Sequence, residues 1–103
     1  MRRAAHVDGN HAEVVKALRR CGIGVLSLAA VGSGIPDLLV AFRGVTVLLE
    51  IKNPDSDRGA PSKVKQNTLD FLASWPGKAY VVWSPEEAVR VVVEAARPGG
   101  PTP

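Results

Sequence analysis

Apolar residues follow helical spacing in three stretches of the chain. The first contains Val14, Val15 and Leu18 and ends before Gly22, a natural helix stop. The second follows Ser62, a residue that can cap a helix. The third follows the sequence SPEE at 84–87, which combines a capping box with a proline at the first helical position. The pattern predicts helices over residues 10–21, 62–75 and 85–96.

Shorter apolar runs bounded by glycine, proline and polar residues predict strands. Residues 24–30 are predicted to form a short buried strand, and residues 37–42 and 45–52 flank Arg43-Gly44 as the two strands of a hairpin. A last strand is predicted over residues 78–83. The sequence NPDSDRGAP at 53–61 is typical of a surface loop.

The resulting order is α-β-β-β-α-β-α, which predicts an α/β fold with one small mixed sheet. The second helix provides a right-handed crossover to the last strand. A chain of 103 residues has room for one domain, which we place at residues 1–97. We expect the tail, residues 98–103, to be disordered.

Composition and charge exclude several classes of protein and favour one kind of partner. The chain is 46% hydrophobic and 22% charged, as ordinary globular domains are. The single Cys21 excludes an intramolecular disulfide and a Cys-x-x-Cys redox pair. The longest uncharged run, residues 21–36, is too short and too rich in glycine to span a membrane. We therefore expect a cytoplasmic protein without a membrane partner, and its net charge of +3 favours a polyanionic partner.

Two carboxylates are predicted to meet at the end of the hairpin. With a loop centred on Arg43-Gly44, Asp37 faces Glu50, and Lys52 shares the face of Glu50. Like charges opposite each other destabilise a sheet, and Glu50 lies in the apolar run VLLEI. A Mg²⁺ ion would resolve the conflict, with Lys52 stabilising charge on a phosphate.

Two alternatives remain open at this point. Lys52 could neutralise one acid in a purely structural charge cluster, with Asp37 solvated. A three-residue loop with a bulge would place Asp37 on the opposite face of the sheet.

The sequence GIPD at 34–37, followed by Glu50-Ile51-Lys52, resembles the signature of the PD-(D/E)xK nuclease superfamily. Within it, the chain is most similar to the stand-alone virus-type replication-repair nuclease (VRR-NUC) domain, in which a glutamine, here Gln66, begins the helix after a polar loop. Archaeal-type Holliday junction resolvases are also similar. The resemblance covers residues 10–95 and implies a restriction-endonuclease-like α-β-β-β-α-β core followed by a C-terminal helix.

The resemblance also implies roles for individual residues. Catalytic residues would be Asp37, Glu50, Lys52 and Gln66. Metal ligands for Mg²⁺, with Mn²⁺ as a substitute, would be Asp37, Glu50, the carbonyl of Ile51 and, through water, Glu13. Glu13 and Gln66 each also have a structural interpretation. Glu13 and Asn10 have the spacing of a capping box, and Gln66 fits a solvated position on its helix. We expect His11 to pack against the domain and Cys21 to lie in the core.

Basic residues at the start of the chain, in the first helix and around the polar loop could contact DNA phosphates, although each alone also fits a solvated face. They are Arg2, Arg3, Lys16, Arg19, Arg20, Arg58, Lys63 and Lys65. Trp75 and Trp83 occupy apolar-pattern positions, which argues against base stacking on single strands. We therefore expect duplex or branched DNA as the partner.

The predicted function is that of a Mg²⁺-dependent, structure-selective DNA endonuclease in DNA repair. A Holliday junction needs two symmetric cuts, which a homodimer supplies. The valine cluster at 89–93 is richer than one buried stripe requires and offers a surface for the second copy. The alternatives are a non-catalytic DNA-binding module and a subunit of a larger restriction or repair nuclease.

Overall fold

Three helices and four strands follow one another in the computed structural model, which describes residues 9–53 and 64–98. The predicted order is confirmed, and with it a small α/β domain with a mixed sheet and a C-terminal helix. Residues 54–63, most of the predicted polar loop, lie outside the described residues, as do Arg2, Arg3, Arg58, Lys63 and the tail from residue 99. The elements are α1 (Gly9–Arg20), β1 (Gly24–Ser27), β2 (Leu38–Phe42), β3 (Val45–Ile51), α2 (Gln66–Ser74), β4 (Lys78–Val82) and α3 (Pro85–Ala96).

The sheet has the strand order β1-β2-β3-β4, in which the first two pairings are antiparallel and the β3–β4 pairing is parallel. Arg43 and Gly44 both have positive φ, 52° and 81°, as both central residues of a type I′ turn require. Phe42 pairs with Val45, so the hairpin loop has two residues and no bulge. The predicted register is therefore confirmed.

One face of the sheet carries the hydrophobic core. Val14 and Leu18 of α1 and Val92 of α3 are buried against alternate strand residues. Those strand residues are Leu38, Val40, Val47, Leu49, Ile51 and Val82. Each such side chain contributes about 1.5–3 kcal/mol by leaving water. Because side chains alternate along a strand, Leu48 and Glu50 point to the opposite face, called the second face below.

Helix α1 ends in a Schellman motif. The N–H of Ile23 donates to the carbonyl of Leu18, and the N–H of Gly22, at φ 78°, donates to that of Arg19. The chain leaves the helical path after Arg20, so Cys21 no longer follows the buried stripe. Cys21 is exposed, and the expectation that it lies in the core is wrong.

Strand β1 is shorter and less buried than predicted. It ends at Ser27, because the chain turns away after the Leu28 N–H donates to the carbonyl of Asp37. Among the strands of residues 9–53 and 64–98, β1 borders β2 alone, and Leu26 is 57% exposed. The segment is an edge strand and not a buried one.

Helix α2 begins four residues later than predicted. Lys65 is its N-cap, with extended backbone angles and no side-chain capping hydrogen bond. Ser62 lies outside the described residues, but Val64 and Lys65 are not helical, so the predicted cap is wrong.

Helix α3 matches its prediction. The Ser84 hydroxyl accepts a hydrogen bond from the Glu87 N–H, and the Glu87 carboxylate accepts one from the N–H of Trp83. The valine cluster is largely accounted for by the protein's own core: Val92 is buried, Val89 and Val91 pack on the core, and only Val93 is exposed. No helix within the described ranges is long and apolar enough to cross a membrane.

Candidate active site

The ends of β2 and β3 bring the two predicted carboxylates together. Leu38 pairs with Leu49, so the next residues outward, Asp37 and Glu50, face each other. Asp37 Oδ2 accepts a hydrogen bond of 2.7 Å from the backbone N–H of Ile51. That bond holds the Asp37 side chain across the strand pair and beside Glu50.

Glu50 is a buried carboxylate, with a residue exposure of 6%. Burial raises its pKa above the ordinary value, and the negative charge of Asp37 raises it further. The positive charges of Lys52 and Lys65 oppose this rise without cancelling it. The fold therefore holds Glu50 where its ionised form is less favoured than it would be on the protein surface.

Lys52 forms an ion pair with Glu50, with 3.1 Å between Nζ and Oε2. Both side chains are largely buried, with exposures of 14% and 9%. Lys52 thus shares the second face with Glu50, as the strand alternation predicts. In the absence of a ligand, the ammonium compensates part of the carboxylate charge.

These three residues form the floor of a cleft of about 320 Å³. The loop between β1 and β2 forms one wall, and the first turn of α2 forms the other. Residues of the walls include Leu28, Gly32, Ser33, Gly34, Lys65, Asn67 and Thr68. The cleft is therefore lined by two acids, two lysines, a glycine-rich turn and a helix N-terminus.

The glycine-rich turn is held tightly against α2. Gly32, Ser33 and Gly34 have positive φ values of 67°, 57° and 82°. A Cβ atom on Gly34 would lie 2.9 Å from the backbone carbon of Asn67, which is a clash with main chain. Position 34 therefore requires glycine both for its backbone angle and for this close approach.

Asn10 connects α1 to the strand ends that carry the site. Its Nδ2 donates to the carbonyls of Lys52, at 2.7 Å, and Trp83, at 3.2 Å. Asn10 lies within α1, which begins at Gly9, so it does not act as the N-cap of a capping box with Glu13. That interpretation is wrong because the amide is used to bridge two parallel strands.

Several predicted residues lie away from the cleft walls. The exposed Glu13 carboxylate is 3.9 Å from Lys16 Nζ. Gln66 Nε2 donates to Asp70 Oδ1 at 2.8 Å, along the exposed side of α2. Neither residue lines the cleft, and their roles as an outer metal ligand and a catalytic support stay predictions.

The basic residues of α1 belong to a different surface. Lys16 and Arg19 line a groove between α1 and the β1–β2 edge, together with His11 and Val25. His11 is half-buried there, as expected for a packed residue. Arg20 is exposed at the end of α1. Of the predicted DNA-contacting residues within the described ranges, Lys65 is the one that lines the cleft.

The donor set fits a hard divalent cation held by few protein ligands. Within residues 9–53 and 64–98, no three His, Cys, Asp or Glu side chains are grouped to share a metal ion. Two facing carboxylates are nevertheless present, and Mg²⁺ commonly binds through one or two carboxylates with water and substrate phosphate. Burial and the charge of Asp37 raise the pKa of Glu50, and a cation between the two carboxylates would offset both effects.

Comparison of the chain with protein-family models, with curated proteins and with solved structures finds no match. The chemistry of the cleft therefore carries the functional argument. Facing carboxylates with a buried lysine can bind a cation, polarise a phosphate and position water.

Sequence reasoning missed part of the site. Asn67 and Thr68 of the cleft wall, and the bridging Asn10, were not predicted to belong to it. The GSG sequence at 32–34 indicated a turn, but not its contact with α2. These residues meet the site only through tertiary structure, which hydrophobic periodicity does not report.

Proposed function

We propose that the protein is a Mg²⁺-dependent DNA endonuclease of the PD-(D/E)xK type. The observation that carries the proposal is Glu50, a buried carboxylate that faces Asp37 and pairs with Lys52 in an open cleft. A buried carboxylate that faces a second carboxylate costs stability, and carboxylates perturbed in this way cluster at functional sites.

Asp37 and Glu50 would hold the metal ion, with the backbone carbonyl of Ile51 as a further oxygen. When bound, Mg²⁺ supplies Lewis-acid stabilisation of the phosphate and lowers the pKa of water. Asp37 is oriented for this role by its hydrogen bond from Ile51. The PD-(D/E)xK assignment rests on the signature residues themselves, which occupy the end of one hairpin.

Lys52 would act on the phosphate undergoing hydrolysis. Its ammonium is 3.1 Å from Glu50 Oε2 and is shielded from bulk water. Because a positive charge in such a site is screened less than on the surface, it favours the negative charge that accumulates during phosphodiester hydrolysis. Lys65, on the wall that α2 forms, adds a second positive charge to the cleft.

One observation favours a second candidate, a DNA-binding module without chemistry. The Lys52–Glu50 ion pair already compensates one acid, as a structural charge cluster would. A subunit of a larger restriction or repair nuclease would share the geometry and depend on a partner for activity.

The deciding experiment incubates the purified protein with labelled linear duplex, single strand, flap and four-way junction DNA in Mg²⁺, Mn²⁺ or EDTA. We expect cleavage in both metals, none in EDTA, and none from the matched variant Glu50→Gln. Binding without cleavage under every condition would favour the binding module. Full cleavage by Glu50→Gln would contradict the proposed site.

We further propose that the active form is a homodimer that prefers branched DNA such as a Holliday junction. One protomer has one Asp37–Glu50–Lys52 site, whereas a two-fold symmetric junction needs two cuts. Light scattering at micromolar concentration measures the oligomeric state, and timed cleavage of a junction shows whether the two cuts are coupled. A monomer that cuts linear duplex as fast as junctions would contradict this substrate class.

A further inference from the structure

The first turn of α2 presents unused hydrogen-bond donors to the cleft. The first hydrogen bond of the helix runs from the N–H of Leu69 to the carbonyl of Lys65. The N–H groups of Gln66, Asn67 and Thr68 come before this first donor, so they have no acceptor within the helix. The N-cap residue provides no side-chain capping bond, and the first turn contains no acidic residue. This end of α2 therefore keeps its partial positive charge.

Thr68 provides an independent observation at the same place. It is 4% exposed and lines the cleft. Within the part of the chain that the structure describes, its hydroxyl has no hydrogen-bond partner. Leaving a buried polar group without a partner costs about 1–3 kcal/mol, so a buried hydroxyl normally has one. A ligand in the cleft would supply the acceptor.

The charges of this wall favour an anionic ligand. Lys65 lines the same wall, and its positive charge reaches Glu50 across the cleft. The contact between Gly34 and Asn67 fixes the turn against the helix end, so the wall is preformed. A helix N-terminus, a hydroxyl donor and an ammonium group are together suited to a phosphate group.

We propose that the α2 N-terminus, the Thr68 hydroxyl and Lys65 form a second phosphate subsite, which binds a backbone phosphate next to the one that is cut. This proposal rests on the proposed nuclease function, since it identifies the ligand as part of the same DNA strand. The subsite would fix the strand along the cleft and so align the reactive phosphate with Lys52.

The test compares Thr68→Val, which removes only the hydroxyl, with Thr68→Ser, which keeps it. Binding of a linear duplex is measured in EDTA, so the result does not depend on cleavage. We expect Thr68→Val to weaken binding by about tenfold, the factor of one hydrogen bond to a charged group, and Thr68→Ser to retain it. The exposed Thr46, at the opposite end of β3, provides the matched control Thr46→Val, for which we expect unchanged affinity.

Stability separates a local effect from unfolding. Thr68→Val should melt at the same temperature as the wild type or higher, because a buried hydroxyl without a described partner is removed. Duplexes with one neutral methylphosphonate then locate the contact. At one position beside the cut site, the methylphosphonate should weaken the binding of the duplex to the wild type. It should not weaken the binding of the duplex to Thr68→Val, which has already lost the contact.

Inorganic phosphate distinguishes the source of the ligand. We expect it to shift the amide NMR signals of residues 66–68 in the wild type and in Thr68→Ser, but not in Thr68→Val. Such shifts combined with equal DNA affinity of all variants would mean that free phosphate is the ligand and would overturn the proposal. Equal DNA affinity without shifts would overturn it as well. Loss of affinity in Thr68→Val from a protein that never cleaves DNA would support the subsite and contradict only the nuclease function.

Discussion

Asp37 Oδ2 accepts its hydrogen bond from Ile51, the residue between Glu50 and Lys52. One backbone N–H therefore links the first carboxylate to the strand that carries the other two charged groups. The geometry of all three depends on the hairpin register, which the two-residue turn at Arg43-Gly44 sets. The turn therefore determines the geometry of the site, although the two lie at opposite ends of the same strand pair.

Substitution of Asp37 tests this link. Asp37→Asn keeps an oxygen acceptor for the Ile51 N–H and removes the charge that opposes Glu50, so we expect unchanged or higher stability. Asp37→Ala removes the acceptor as well, and we expect it to be less stable than Asp37→Asn by about 1–3 kcal/mol. Both variants should lose cleavage. Urea unfolding and a cleavage assay measure the two effects, and equal stability of the two variants would show that the bond contributes nothing.

Glu50 makes the stability of the metal-free protein depend on pH. Below the ordinary glutamate pKa of about 4.5, both the folded and the unfolded chain are protonated at this residue. As pH rises, the unfolded chain releases its proton first, because burial and Asp37 raise the pKa of Glu50 in the folded state. The free energy of unfolding therefore falls until pH passes the raised pKa, and it stays lower above that value.

Glu50→Gln should remove this contribution and increase stability at neutral pH. Urea unfolding in EDTA between about pH 4 and 8 measures it, and Glu94→Gln on the exposed side of α3 is the matched control. Mg²⁺ should stabilise the wild type and stabilise Glu50→Gln less. An identical pH dependence in wild type and Glu50→Gln would contradict the assignment.

Lys52 should matter more for turnover than for DNA affinity. Its charge acts where negative charge accumulates in the transition state, so Lys52→Ala should lower kcat strongly and change the DNA Kd little. Lys78→Ala removes an exposed lysine at the other end of the sheet and should change neither quantity. A loss of affinity as large as the loss of kcat would instead make Lys52 a binding residue.

Asn10 should position Lys52 through its backbone. Asn10→Ala leaves the carbonyls of Lys52 and Trp83 without this donor, at a cost of about 1–3 kcal/mol. Asn10→Asp should be worse, because a carboxylate cannot donate. We expect kcat to fall in both variants while KM changes little.

Glu13→Gln, one turn along α1, is the stability control and should stay within about 0.5 kcal/mol of wild type. Wild-type kcat in Asn10→Ala would contradict a positioning role.

The part of the site that lies on one hairpin could be predicted from the sequence. Side-chain alternation and a two-residue turn determine which residues face each other, so Asp37 and Glu50 follow from the position of Arg43-Gly44. The same local rules predicted α3, whose Ser84 cap is specified within four residues of sequence.

The rest of the site depends on tertiary contacts. Thr68 lines the cleft because α2 begins at Gln66. The N-cap residue, Lys65, forms no side-chain capping bond, so the local sequence gives little indication that the helix starts there. Cys21 has helical spacing but lies within the Schellman turn, after the helix has ended at Arg20, so periodicity alone placed it wrongly. Asn10 is of a residue type that often caps helices, but its side chain instead contacts a strand end that is distant in sequence.

The salt dependence of binding should distinguish the cleft from the basic surface of α1. Lys65 lines the cleft on the second face, whereas Arg19 lines a groove on the side of the sheet that α1 covers. A short duplex in the cleft contacts one side of the domain, but the arms of a four-way junction can reach both.

We expect Lys65→Ala to lower the slope of log Kd against log salt by about 0.9 on both substrates. The double variant Arg19→Ala/Arg20→Ala should lower it only on the junction, by up to about 0.9 for each lost phosphate contact. An unchanged junction slope in the double variant would exclude α1 from the DNA-binding surface, and an unchanged slope for Lys65→Ala would exclude the cleft.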